Sequence, residues 1–178
     1  LYRQVLAVEK NILGLEHQHT LSCMNNLALL LSKKDNYKEA ESLFRYVIET
    51  QKRDLGSEHQ KTLITEQNFA ILLRDNTNYP EKSIPILEHI LSIRRKENIP
   101  QYLSSILTAL GTSYAKCKLF NESIIALQES IKIRQKLLED NYISKEPLIS
   151  SLKRLLDVYK IKGDKNNILK IESEIKNI

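Results

Sequence analysis

The stretch Leu13-Gly14-Leu15-Glu16-His17-Gln18-His19-Thr20-Leu21 returns as Leu55-Gly56-Ser57-Glu58-His59-Gln60-Lys61-Thr62-Leu63, 42 residues further along. The echo runs outward from it in both directions. Leu1, Arg3, Val5 and Lys10 recur as Leu43, Arg45, Val47 and Lys52, and Asn26, Ala28, Leu30 and Leu31 recur as Asn68, Ala70, Leu72 and Leu73. A period between about 20 and 50 residues marks an array of stacked units. One such unit cannot bury its own apolar face, so neighbours must share a core. The chain therefore reads as a binding surface made of repeats rather than as a catalyst.

Composition agrees with helices. A chain of 178 residues fits one domain or one stretch of solenoid, and 42% hydrophobic residues supply a core. Four Gly, four Pro and no Trp, beside many Leu, Ile, Lys and Glu, point to an all-helical chain. No run of 18 apolar residues offers a membrane span. Cys23 and Cys117 fall on apolar-rich helical stretches, where Cys acts as a small hydrophobe. Two cysteines in such a pattern make no disulfide framework, so a reducing, cytoplasmic setting is expected. A net charge of +5 leans only weakly toward acidic partners. There is no initiator Met or signal sequence, and Leu1 aligns with Leu43 inside a helical pattern. The expectation is a chain that starts mid-repeat, as a piece of something longer.

Each unit holds two helices. In the clearest one, Leu21, Met24, Leu27, Ala28, Leu30 and Leu31 mark a first helix by three- and four-residue steps. A break at Lys34-Asp35-Asn36 precedes a second helix carrying Ala40, Leu43, Phe44, Val47 and Ile48. Gly56 suits the position after a helix end, and Lys52 and Arg53 suit the negative end of its dipole. The next unit carries one extra residue, within Asn76-Thr77-Asn78-Tyr79-Pro80, and Pro85 near the start of its second helix. The expected division is the second helix of a truncated repeat over 1–14, repeats over 15–56, 57–97 and 98–140, and a diverged repeat with a capping helix over 141–178. The stripe Ile168, Ile171, Ile175 and Ile178 marks that cap.

The helix pairs resemble tetratricopeptide repeats. The likeness rests on a small residue in each first helix (Ala28, Ala70, Gly111), a second in each second helix (Ala40, Ser83, Ser123), and Phe44, Leu87 and Leu127 four positions after that second residue. The motifs Leu-Gly-x-Glu-His-x-x-Thr-Leu and Asn-Leu-Ala-x-Leu-Leu resemble the kinesin light chain-like subtype, with Phe69 for Leu in the second copy. This resemblance implies an all-α fold, a right-handed superhelical solenoid of antiparallel helix pairs. It implies that the six small residues let helices approach closely, and that first helices line a concave groove. It also implies that Asn26 and Asn68 hold the backbone of a bound peptide, since an amide side chain both donates and accepts. Ala109 and Arg154 occupy that position in the later units, which leaves the ladder of asparagines incomplete.

The remaining groove-side residues follow from helical position. Asn25, Leu29 and Lys33, then Gln67, Ile71 and Arg74, then Thr108, Thr112 and Lys116 form the candidate peptide-binding set with the two asparagines; Ser22 and Ser105 flank it, and Lys153, Arg154 and Lys160 continue its positive side. A polar, mildly basic face with apolar patches suits an acidic peptide or protein with an apolar anchor. The function expected is non-catalytic protein–protein interaction, as an adaptor or scaffold. The alternative is a regulatory or ligand-sensing repeat segment of a larger multidomain protein, such as a nucleotide-driven switch.

Other chemistries lack their residues. Glu16-His17-Gln18-His19 does not have the His-x-x-x-His spacing of a helical zinc site, and a histidine recurring once per unit suits a turn or cap. Gly14, Gly56, Gly111 and Gly163 are isolated, so no phosphate loop exists. No catalytic residue, metal or cofactor is expected. The basic clusters Lys52-Arg53, Arg94-Arg95-Lys96 and Arg134-Gln135-Lys136 are interleaved with acids and fall near second-helix ends, so nucleic acid is not an expected partner. The reading leaves oligomeric state unassigned.

Overall fold

The computed structural model describes residues 2–76 and 80–178; Thr77, Asn78 and Tyr79, within the expected insertion, lie outside the described residues. Every regular element among the described residues is helical. The chain divides into two compact units, Leu1–Lys82 and Ser83–Ile178.

The first unit contains α1 (Tyr2–Leu13), α2 (Gln18–Ser32), α3 (Tyr37–Leu55) and α4 (Gln60–Asp75), then a 3-10 turn at Pro80–Lys82. Consecutive helices pack on one another, and α2 also meets α4. The three- and four-residue apolar steps become the core: Leu21, Met24, Leu27, Ala28 and Leu31 of α2 and Ala40, Phe44 and Val47 of α3 are all buried. Each large side chain among them contributes roughly 1.5–3 kcal/mol on burial. Ala28 and Ala40 are fully covered, as a close helix crossing requires. Phe69 of α4 meets Phe44, with ring centroids 6.2 Å apart.

The repeated Leu-Gly-x-Glu-His-x-x-Thr motif forms the same corner twice. Gly14 and Gly56 take φ of +88° and +97°, outside the range that L side chains adopt easily. Thr20 Oγ1 donates to the Gly14 carbonyl at 2.8 Å, and Thr62 Oγ1 to the Gly56 carbonyl at 2.9 Å. His17 and His59 are N-caps, their Nδ1 atoms accepting from the backbone N–H of His19 and Lys61, each at 3.2 Å. The motif thus ties a helix end to the next helix start with side-chain bonds that satisfy otherwise orphaned backbone groups.

The second unit contains α5 (Ser83–Glu97), α6 (Pro100–Lys116), α7 (Phe120–Glu139), α8 (Lys145–Lys162) and α9 (Lys165–Asn177). Consecutive helices pack, and α6 also meets α8. Gly111 is where α6 and α7 come closest: an added Cβ would lie 2.7 Å from Leu127 Cγ and 3.2 Å from the Ser123 carbonyl oxygen. Ser123 Oγ donates to the Gly111 carbonyl at 2.7 Å, so the second small residue both leaves room and bonds across it. Ala70 and Ser83 are likewise fully buried. Pro85 is exposed in the first turn of α5, where its missing N–H costs no helical bond. The core continues through Leu127, Leu152, Leu155 and Tyr159 to Ile171 of α9, with Ile168, Ile175 and Ile178 packed against it at half exposure. Asp164 caps α9 by accepting from the Asn167 N–H at 3.2 Å.

Four helix ends close in one way that the sequence reading does not anticipate. A residue at positive φ (Asp35, Lys118, Asn141 or Gly163) is followed by an N–H that reaches back five positions, as Asn36 does to the Leu31 carbonyl. Only the last uses glycine.

Candidate functional site

On α2, Asn26, Leu29 and Lys33 lie three and four residues apart and so share one helical face. Asn26 and Lys33 are exposed and Leu29 is half-buried. No side-chain hydrogen bond engages Asn26 among the described residues. Asn25 is half-buried and accepts a 3.3 Å bond from Nδ2 of Asn68, which joins α2 to α4. Asn26 and Asn68 are therefore not equivalent in their bonding, although they occupy one repeat position. Gln67 and Ile71 of α4 are half-buried.

Arg74 departs from expectation. It is buried, and its guanidinium is committed to Asp75 through Nε and Nη2 at 2.8 and 3.0 Å. A charge held by the adjacent carboxylate does not reach out to attract an acidic ligand.

In the second unit, Thr108 also departs from expectation. It is buried, donates to the Ser104 carbonyl at 3.0 Å, and shares hydroxyl contacts with Ser130 at 2.7 Å and Ser151 at 3.1 Å. Those partners come from α7 and α8, so Thr108 is a strut inside the helix layer, not a surface contact. Thr108 and Ser151 stand 83 positions after Asn25 and Asn68, so the Asn–Asn contact of one unit recurs as a Thr–Ser contact in the other. Ser151, rather than Arg154, is the counterpart of Asn68. Arg154 instead donates to Thr112 Oγ1 at 3.2 Å. Lys116 is exposed, and Thr112 is half-buried with its hydroxyl donated to the Thr108 carbonyl.

Ser130, Ser151 and Arg134 complete a polar layer that sequence reasoning misses. Arg134 donates to the Pro147 carbonyl and to Ser151 Oγ. Burial, and then the charge of Arg154, pull its guanidinium below the usual arginine value. The signal available in the sequence is the exchange of Val47 for Ser130 and Gln51 for Arg134 at matching repeat positions.

His17 and His59 act as caps, and the His17 ring stacks on that of His19 with centroids 5.4 Å apart. No group of three or more His, Cys, Asp or Glu is arranged to hold a metal among the described residues. No helix of the described residues is long and apolar enough to cross a membrane.

Comparison with known proteins bears on the fold. The tetratricopeptide repeat model matches residues 20–61 and 103–141. No curated protein matches the sequence. Among solved structures, a proposed kinesin light chain of Podosopora anserina with nearly identical TPR-like repeats shares 20% identity with a TM-score of 0.75, covering 99% of this chain and 82% of that one. BtubC (BKLC) from P. vanneervenii shares 17% identity with a TM-score of 0.80, covering 99% and 69%. MamA (41-end) from Desulfovibrio magneticus RS-1 shares 12% with a TM-score of 0.65, covering 99% and 92%. The fold is thus the all-α helix-pair array of TPR-like solenoids, and no enzymatic family is indicated.

Proposed function

We propose, for a chain built of tetratricopeptide repeats similar to those of kinesin light chain-like proteins, that it is a non-catalytic module that binds a protein partner through the face its first helices present. Repeats of this kind generally bind proteins. The observation that carries the finer reading is the triplet Asn26, Leu29 and Lys33: an exposed amide with no side-chain partner among the described residues, an apolar contact and a cation on one helical face. An extended peptide offers what each would take, namely backbone donors and acceptors, an apolar side chain and a carboxylate. Half-buried Ile71 extends the same function along α4, while Asn68, whose Nδ2 is given to Asn25, is removed from it. Lys116 is the counterpart of Lys33 in the second unit, 83 positions later. An acidic partner is therefore part of the proposal, with Lys33 and Lys116 as its cations and Arg74 removed from that role.

The repeat division over 15–56, 57–97, 98–140 and 141–178, after a second helix over 1–14, is proposed on the same footing. So are an adaptor role and a cytoplasmic setting, the latter resting on cysteines kept as thiols. The test is selection of peptides from a displayed library against the immobilised chain, followed by affinity measurement with Asn26→Ala and Lys33→Glu. Enrichment of acidic sequences that lose affinity on both changes supports the reading. Enrichment indifferent to both refutes it.

A further inference from the structure

The α2–α3 and α6–α7 pairs differ at one end in the carboxylates they carry. In the first unit Arg53, in the last turn of α3, pairs with Glu16 at 2.9 Å beside the start of α2 and with the adjacent Asp54 at 2.8 Å. The α6–α7 pair repeats α2–α3 at a shift of 83 positions: Ala28 becomes Gly111, Ala40 becomes Ser123, and the positive-φ residue Asp35 becomes Lys118. The same shift takes Arg53 to Lys136, Glu16 to Ile99 and Asp54 to Leu137. The cation is kept and both of its carboxylates are gone. At that end of α6–α7 lies a cavity of about 570 Å³.

The cavity is built for one kind of group. Leu103, Ile133 and Leu137 give it an apolar wall, and the ring of Tyr142, 70% exposed, stands at its rim. Lys132 and Lys136, one turn apart on α7, also line it and are exposed; neither makes an ion pair among the described residues. Asp140 is the one carboxylate in the lining. The first turn of α6 contributes no acidic residue.

We propose that this cavity binds the C-terminal residue of a peptide ending in a large apolar side chain. The α-carboxylate meets Lys136 and Lys132, and the side chain enters the wall of Leu103, Ile133 and Leu137. A terminal Leu or Phe presents an apolar group and a carboxylate one carbon apart, which an internal Asp or Glu does not. The volume suits one or two residues, within the usual range of about 300–1,000 Å³ for small-ligand pockets. The site is separate from the α2–α4 face and stands or falls independently of it.

The experiment measures fluorescence anisotropy of labelled neutral hexapeptides against the full chain. Peptides ending in Leu or Phe as free acids are expected to bind, with the C-terminal amides and a Gly-terminated acid weaker by about tenfold or more. Ile99→Glu restores one of the missing carboxylates opposite Lys136 and should weaken binding by a similar factor while the melting temperature holds. Lys136→Glu should do the same, and Lys10→Glu, on α1, should not. Equal binding of acid and amide, unchanged affinity in a folded Ile99→Glu protein, or no saturation at millimolar peptide would overturn the proposal. Tighter binding of octanoate than of any peptide would overturn the peptide assignment.

Discussion

Asn68 Nδ2 donates to Asn25 Oδ1 at 3.3 Å, whereas its repeat counterpart Asn26 is exposed and makes no such bond among the described residues. One sequence position thus serves a brace in one helix and a surface amide in the other. A net intramolecular hydrogen bond contributes about 0.5–1.5 kcal/mol. Asn68→Ala should lower unfolding free energy by about 1 kcal/mol, and Asn26→Ala should stay within about 0.5 kcal/mol of wild type. Urea unfolding of the two single variants checks this; equal losses would contradict the distinction.

The α6–α7 contact makes a sharper prediction. Gly111→Ala places a methyl 2.7 Å from Leu127 Cγ. Overpacking of a tight core costs about 1–3 kcal/mol, and this should exceed the gain in helix propensity of about 1 kcal/mol from replacing Gly. Ala28→Leu and Ala70→Leu should destabilise by a similar amount. Calorimetry of the three variants is the check, and a Gly111→Ala protein more stable than wild type would show that α7 yields freely.

The two corners should behave alike. Thr20→Val and Thr62→Val keep shape and remove the bonds to the Gly14 and Gly56 carbonyls. Each should cost about 1 kcal/mol. The double variant should lose the sum within about 0.5 kcal/mol, because the two bonds share no partner. Denaturant titration of the singles and the double tests both statements.

The α9 cap carries a pH dependence. Hydrogen bonds from the Asn167 side chain and then its backbone hold the Asp164 carboxyl below its ordinary value of 3.8. A lowered folded-state pKa means stability present above the unfolded value and lost as pH falls through the folded one. Protection of the amides at the start of α9, relative to their intrinsic exchange rates, should therefore fall below about pH 4, and Asp164→Asn should flatten that dependence. An unchanged acid profile in the variant would contradict the cap.

The 42-residue echo makes α1 to α4 legible because apolar steps, the two corner glycines and the small residues all recur together. Helix ends are less legible: Asp35, Lys118 and Asn141 take the left-handed conformation with no glycine to announce it. The candidate site divides for a related reason. Periodicity assigns a residue to a face but does not say which neighbour reaches it. Asn26 and Lys33 are exposed on that face, whereas Arg74 is held by Asp75, and Thr108 meets hydroxyls that arrive from two other helices. The contact between Asn25 and Asn68 joins two helices of different repeats, and its recurrence as Thr108 and Ser151 becomes visible only once those helices are packed.

The most direct test of the binding account is amide chemical-shift mapping of the full chain with a library-selected acidic peptide, paired with affinities for wild type and Asn26→Ala. The account predicts perturbations centred on Asn26, Leu29, Lys33 and Ile71, and a loss of affinity of about 1–2 kcal/mol in the variant at unchanged melting temperature. Perturbations confined to the outer surfaces of α3 and α7, with Asn26→Ala binding as tightly as wild type, would contradict it.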